Sequence, residues 1–221
     1  MLKIIDVYGA MLLTALGKTM LLTLLSLFFA MIIGLIFSLM NVGKSRFWNF
    51  VGTLYVDAIR GVPLIVLAFF VYFGLPMAVD TLGGNLRFTA LQAGTIALSM
   101  NCGAYMAEII RAGIESIDKG QMEASRSLGL NYAKSMRLVV LPQAFRAMIP
   151  SIINQFIITL KDTSILSVIG FPELTNMGKV IQGNTLNSLG TWSVVGLMYM
   201  IVIVTLSRIA KRIERRMNVG R

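Results

Sequence analysis

The chain has no histidine, a single cysteine at position 102, and only 14% charged residues. Without histidine there is no His-containing catalytic triad and no zinc-protease motif; with Cys102 alone there is no disulfide within the chain and no cysteine-rich metal site. The shortage of charge excludes more. An ordinary soluble domain carries roughly 25% charged residues, whereas here 56% of residues are hydrophobic and the mean hydropathy is +0.77. The composition is that of an integral membrane protein.

What charge there is comes mostly as Lys and Arg, for a net +10. These residues sit in short clusters beside apolar runs and not along one polar face, so they read as topology signals, and no nucleic-acid partner is expected. Gly43-Lys44-Ser45 looks like the end of a phosphate-binding loop, but the glycine required five positions before Gly43 is replaced by Ser38, inside an apolar run. The 15 methionines fit adaptable packing better than a metal box. No nucleophile is paired with a general base, so direct catalysis is not expected.

Taken in order, residues 1–19 form a mixed lead-in interrupted by Asp6, Gly9, Gly17 and Lys18, without the small-residue cleavage site of a signal peptide. Residues 20–40 are uncharged and as a helix span about 31 Å, enough to cross the hydrocarbon core. Lys44 and Arg46 follow and mark the cytoplasmic side. A second span, 51–75, carries Asp57 and Arg60, which can pair on one helix face, and Gly61-Val62-Pro63 predicts a bend. Those two charges either stabilise the bend at the interface or contact a ligand.

The third span, 88–110, holds Asn101, Tyr105 and Glu108 at i, i+4, i+7, and the fourth, 149–170, holds Gln155, Thr159 and Asp162 at the same spacing. Polar groups at membrane depth face a protein interior or a cavity. The two stripes therefore predict one polar cavity, or bond each other across helices. In a cavity, Asp162 would supply a carboxylate; Asn101, Gln155 and Thr159 would supply hydrogen bonds, and Tyr105 an aromatic wall. Residues 171–191 read as an external loop with one short helix near 173–182. The fifth span, 192–207, precedes a basic tail of Arg208, Lys211, Arg212, Arg215 and Arg216. The expectation is one all-α membrane domain of five spans, with basic clusters after the first, third and fifth. The N-terminus is then outside and the C-terminus inside.

Between the third and fourth spans lies an amphipathic, basic segment, 118–146. Good helix formers run from Gln121 to Leu128, Gly129 is placed to end that helix, and Asn131 to cap a second one that Pro142 interrupts. That punctuation alone describes a solvated helical hairpin. The string Glu123-Ala124-Ser125, with Gly129 six residues beyond the glutamate and Leu141-Pro142 a further twelve on, resembles the EAA loop of ABC-importer permeases. DAIRGVPLIV, LPQAFRAMIPSIINQFI and LKDTSILSVIG extend the resemblance to the polar-amino-acid branch of that family; Ser125 stands where the family usually has alanine.

The resemblance implies a cytoplasmic coupling helix seated on an ATPase subunit, with Glu123, Ala124, Ser125, Gly129, Leu141 and Pro142 forming the contact. It implies a second permease chain, two ATPase subunits that hold ATP and Mg, and an extracytoplasmic binding protein that delivers the amino acid. The chain itself would be a non-catalytic, lipid-embedded subunit of a bacterial cytoplasmic membrane, binding no cofactor. An ion-driven carrier is the competing reading, but such carriers commonly show internal repeats with broken helices, and no clear repeat runs through this sequence. A scaffold without transport would have no need of two facing polar stripes.

Overall fold

The computed structural model describes residues 2–43 and 45–218, and every regular element among them is helical. Lys44 of the first basic cluster lies outside the described residues, as do the side chains of Arg215 and Arg216. Helix α1 (Leu2–Val42) has no proline to interrupt it, so the lead-in and the first span fuse into one 41-residue helix. At 1.5 Å per residue that is about 60 Å, roughly twice the hydrocarbon thickness. Its two halves do different work. Near the N-terminus Ile4 and Leu12 pack with Leu174, Ile181, Val194 and Val195. Further on, Leu22 joins Ala93, Ala97 and Leu98, and Leu27 and Ala30 join Cys102 and Met106.

Those later partners belong to α5 (Ala90–Glu115), the helix around which the others gather. Thr89 starts it with a capping box: its hydroxyl accepts from the Gln92 N–H at 3.2 Å, and the Gln92 side chain accepts from the Thr89 N–H at 2.9 Å. Small residues let α1 come close. A Cβ on Gly34 would lie 2.5 Å from Met106 Cβ, and one on Gly103 would lie 2.7 Å from Ile33. Among the described residues four stretches are long and apolar enough to cross a membrane, 3–42, 64–81, 132–169 and 188–212. Helix α5, which covers the expected third span, is not among them. It is packed against α1, α2 (Arg46–Gly61), α3 (Leu64–Phe69) and α8 (Leu141–Asp162).

The bend expected at Gly61-Val62-Pro63 is a full break: Val62 is extended at φ −107° and ψ 130°, and α3 starts afresh at Leu64. The expected second span is thereby divided, and its apolar part runs through a wide turn, Phe70–Gly74, into α4 (Leu75–Thr81). A second wide turn corrects another expectation. The helix opened by Asn131 does not stop at Pro142. Instead α7 (Tyr132–Ser135), the wide turn Met136–Val140 and α8 follow without interruption. Pro76 and Pro142 each sit just past such a turn, where the looser winding relieves the clash between the proline ring and the carbonyl four residues back.

Helix α8 tightens into a 3-10 segment, Thr163–Ile169, that ends at Gly170 with φ +76°. The short helix expected near 173–182 appears as α9 (Leu174–Thr185), capped by the fully buried Glu173. Its carboxylate accepts the Thr175 and Asn176 N–H groups at 2.8 and 2.6 Å and the Tyr199 hydroxyl at 2.8 Å. Tyr199 lies on α10 (Ser188–Asn218), so one glutamate ties α9 to the last helix. The basic tail is the helical continuation of that span.

The α1–α5 contact gives a direct test. Gly34→Ala places a methyl group against Met106, Ala107 and Gly103 and is expected to destabilise the chain by about 1–3 kcal/mol through overpacking. Gly196→Ala, with nothing within 4 Å, is the control. Thermal melting in detergent should show a lower Tm for the first variant only.

Candidate functional site

A cleft opens between α2, α5 and α8. Its larger part, about 680 Å³, is lined by Arg60, Tyr105, Glu108, Gly113, Ser116, Met148, Ser151, Asn154 and Gln155 among others. A second hollow of about 500 Å³ is lined by Arg60, the Gly61-Val62-Pro63 break, Asn101, Tyr105, Gln155, Ile158 and Asp162. Both volumes fall within the range of roughly 300–1,000 Å³ usual for small-molecule sites, and Arg60, Tyr105 and Gln155 belong to both walls. From Asn101 to Ser116 the cleft follows α5 for about 22 Å. It ends where α5 gives way to the loop before α6 (Lys119–Ser127).

The two polar stripes therefore converge, with one exception. Asn101, Tyr105, Gln155 and Asp162 line the smaller hollow together. Thr159 does not reach it: at 1% exposure it is sealed into the wall beside the Cys102 thiol. The i, i+4, i+7 spacing placed it on the right side of α8, but a stripe is wider than the opening it faces. Ser151 and Asn154 line the larger part and escaped the spacing argument, Ser151 lying one turn before Gln155 and Asn154 directly before it.

The electrostatics depart from expectation at Arg60. It pairs not with Asp57, three residues back on its own helix, but with Glu108 of α5 at 3.6 Å. Its guanidinium also lies 5.1 Å over the Tyr105 ring. Glu108 in turn is bonded by Arg111, which reaches Glu115 at 2.7 Å with its other nitrogen. Asp57 lines a neighbouring polar hollow of about 340 Å³ with Arg60, Glu108, Arg111 and Glu115. The helix break steers this choice: α2 ends at Gly61, leaving Arg60 in the last turn where it meets α5. No pairing rule within one helix could have found that partner.

Beyond the cleft, Asp118 caps α6 by accepting the Gly120 N–H at 2.6 Å. The helix ends as the glycine position predicts. Gly129 takes φ +88°, while the Gly129 and Leu130 N–H groups bond the Arg126 and Ser125 carbonyls at 3.0 and 3.3 Å. Glu123 and Ala124 are exposed, and Ser125 turns inward at 4% exposure, its hydroxyl bonded to the Met122 carbonyl at 2.8 Å. Of the two small residues expected on a contact surface, Ala124 is exposed and Ser125 is packed inside the hairpin. Leu141, at 39% exposure, and Pro142 lie at the start of α8. Gln143 donates to Gln121 at 3.2 Å, fastening α6 to that helix.

Over 201 residues the chain is 39% identical to the glutamine transport system permease protein GlnP of Escherichia coli (strain K12), covering 91% of this chain and 90% of that one. It is 34% identical over 206 residues to the arginine transport system permease protein ArtQ of Bacillus subtilis (strain 168), covering 93% and 92%. A solved structure described as an amino acid ABC transporter with histidines superposes with a TM-score of 0.90 at 36% identity, over 97% of each chain. Residues 26–219 match the family described as binding-protein-dependent transport system inner membrane component, and the chain belongs to that family.

Proposed function

We propose that this chain is the membrane-spanning permease subunit of an ATP-driven importer of a polar L-amino acid. The observation that carries this is the cleft itself. It holds a cation, Arg60, and an anion, Asp162, around buried amide groups, and it runs to the base of the α6–α7 hairpin. A free amino acid carries both charges, and stripping them of water inside a membrane needs partners of both signs. Asp162 takes the ammonium group, and Asn101 and Gln155 bond the polar remainder. Relatives named for glutamine and for arginine transport place this chain among amino-acid permeases, which sets aside the ion-driven carrier.

ATP chemistry belongs to separate ATPase subunits, against which the hairpin rests. Closure of the ATPase dimer draws the coupling helices of two permease chains together and turns the cleft outward, where a binding protein delivers the amino acid; hydrolysis lets it reopen inward. Glu123 and Ala124 offer the contact, the carboxylate to basic or amide donors of the partner and the methyl group to a close approach. In this reading the chain crosses the cytoplasmic membrane five times, with α5 as the enclosed third span, the N-terminus outside and the hairpin and C-terminus inside.

Two outcomes check the reading. Glu123→Lys, on an exposed position, should leave insertion intact but loosen the ATPase and cut uptake more than tenfold, whereas full co-purification with normal uptake would contradict the coupling role. The buried Cys102 keeps background labelling low, so single cysteines at Thr81, Ser127 and Arg212 can be probed in intact cells with an impermeant reagent. The first should react from outside and the other two only after the membrane is opened. Reaction of Ser127→Cys from outside would overturn both the orientation and the coupling role.

A further inference from the structure

Arg60 stands where three hollows meet, the two parts of the cleft and the acidic one behind it. Its nearest carboxylate is not committed to it. Glu108 is already bonded by Arg111, and its approach to Arg60, at 3.6 Å, is an ion pair longer than a hydrogen bond. Among the described residues Arg60 makes no hydrogen bond, and the Tyr105 ring, 5.1 Å away, steadies its charge without using an N–H. An arginine has five donors in a fork that matches a carboxylate. Here that fork is held in place by two neighbours and occupied by neither.

We infer that Arg60 receives the α-carboxylate of the transported amino acid, with Glu108 and Tyr105 holding the guanidinium ready. Asp162 lines the same hollow and carries the opposite charge. The two charged groups, with Asn101 and Gln155 beside them, select for a zwitterion and leave the side chain to the wider part of the cleft. Arg60 becomes a specificity-determining residue for the backbone of the substrate, whatever its side chain. The inference rests on the reading of the cleft as the transport path.

The test separates the two. Equilibrium binding is measured on the permease–ATPase complex with L-glutamine, L-arginine and L-glutaminamide, whose α-carboxylate is capped as an amide. Arg60→Gln should weaken L-glutamine at least tenfold and leave L-glutaminamide within twofold, because the amide has no carboxylate to lose. Arg60→Lys should fall between, keeping the charge and losing the two-point fork. Asp162→Asn should weaken all three ligands. Equal weakening of acid and amide by Arg60→Gln, or weakening of neither, overturns the role of Arg60 while an effect of Asp162→Asn leaves the cleft as the path. No effect of any variant, or no binding of either amino acid to the wild-type complex, overturns the cleft reading and this inference with it.

Discussion

Polar side chains inside a helix bundle need partners or a cavity, and in this chain that requirement falls on α5, which carries Asn101, Tyr105, Glu108 and Arg111 between its two ends. The helix is enclosed on several sides. Gly34 and Gly103 bring α1 into contact, and Tyr55 stacks on Phe37 at 3.7 Å while its hydroxyl reaches the Met100 carbonyl at 2.8 Å, tying α1, α2 and α5 together. The face left open is the cleft.

The same packing relates the cleft to the hairpin. Helices α5 and α8 line it from both sides, and the hairpin joins the C-terminal end of one to the start of the other. The bond between Gln121 and Gln143 fastens α6 to α8, and the helical path from Tyr132 to Asp162 is continuous. The wide turn at Met136–Val140 accommodates Pro142 without breaking that path, so hairpin and cleft wall are joined by helix.

Much of this was legible in the sequence, and the reason is periodicity. The spacing of Asn101 and Tyr105, and of Gln155 and Asp162, brought four residues to one hollow, and Gly129 ended its helix as its lack of a Cβ allows. What escaped was long-range or depended on width. Thr159 shares the periodicity of its neighbours and lies just behind the opening. Arg60 had a plausible partner three residues away, yet it turned to Glu108, 48 positions on, because the helix ends beside it. Pro142 read as a stop since a proline breaks regular winding, and only the backbone reveals that a wider turn takes up the strain. The helix expected over 88–110 appears as α5, whereas the helices that pack around its polar residues come from distant parts of the chain and no local spacing points to them.

The claim on which the account turns is that import through this cleft is driven by ATP on the hairpin side. Purified complex in liposomes measures this directly, with radiolabelled L-glutamine, binding protein on the opposite face, and ATP and magnesium supplied to the hairpin side. Uptake should require ATP and persist when proton and sodium gradients are collapsed. Uptake driven by an imposed ion gradient in the absence of ATP would contradict the account.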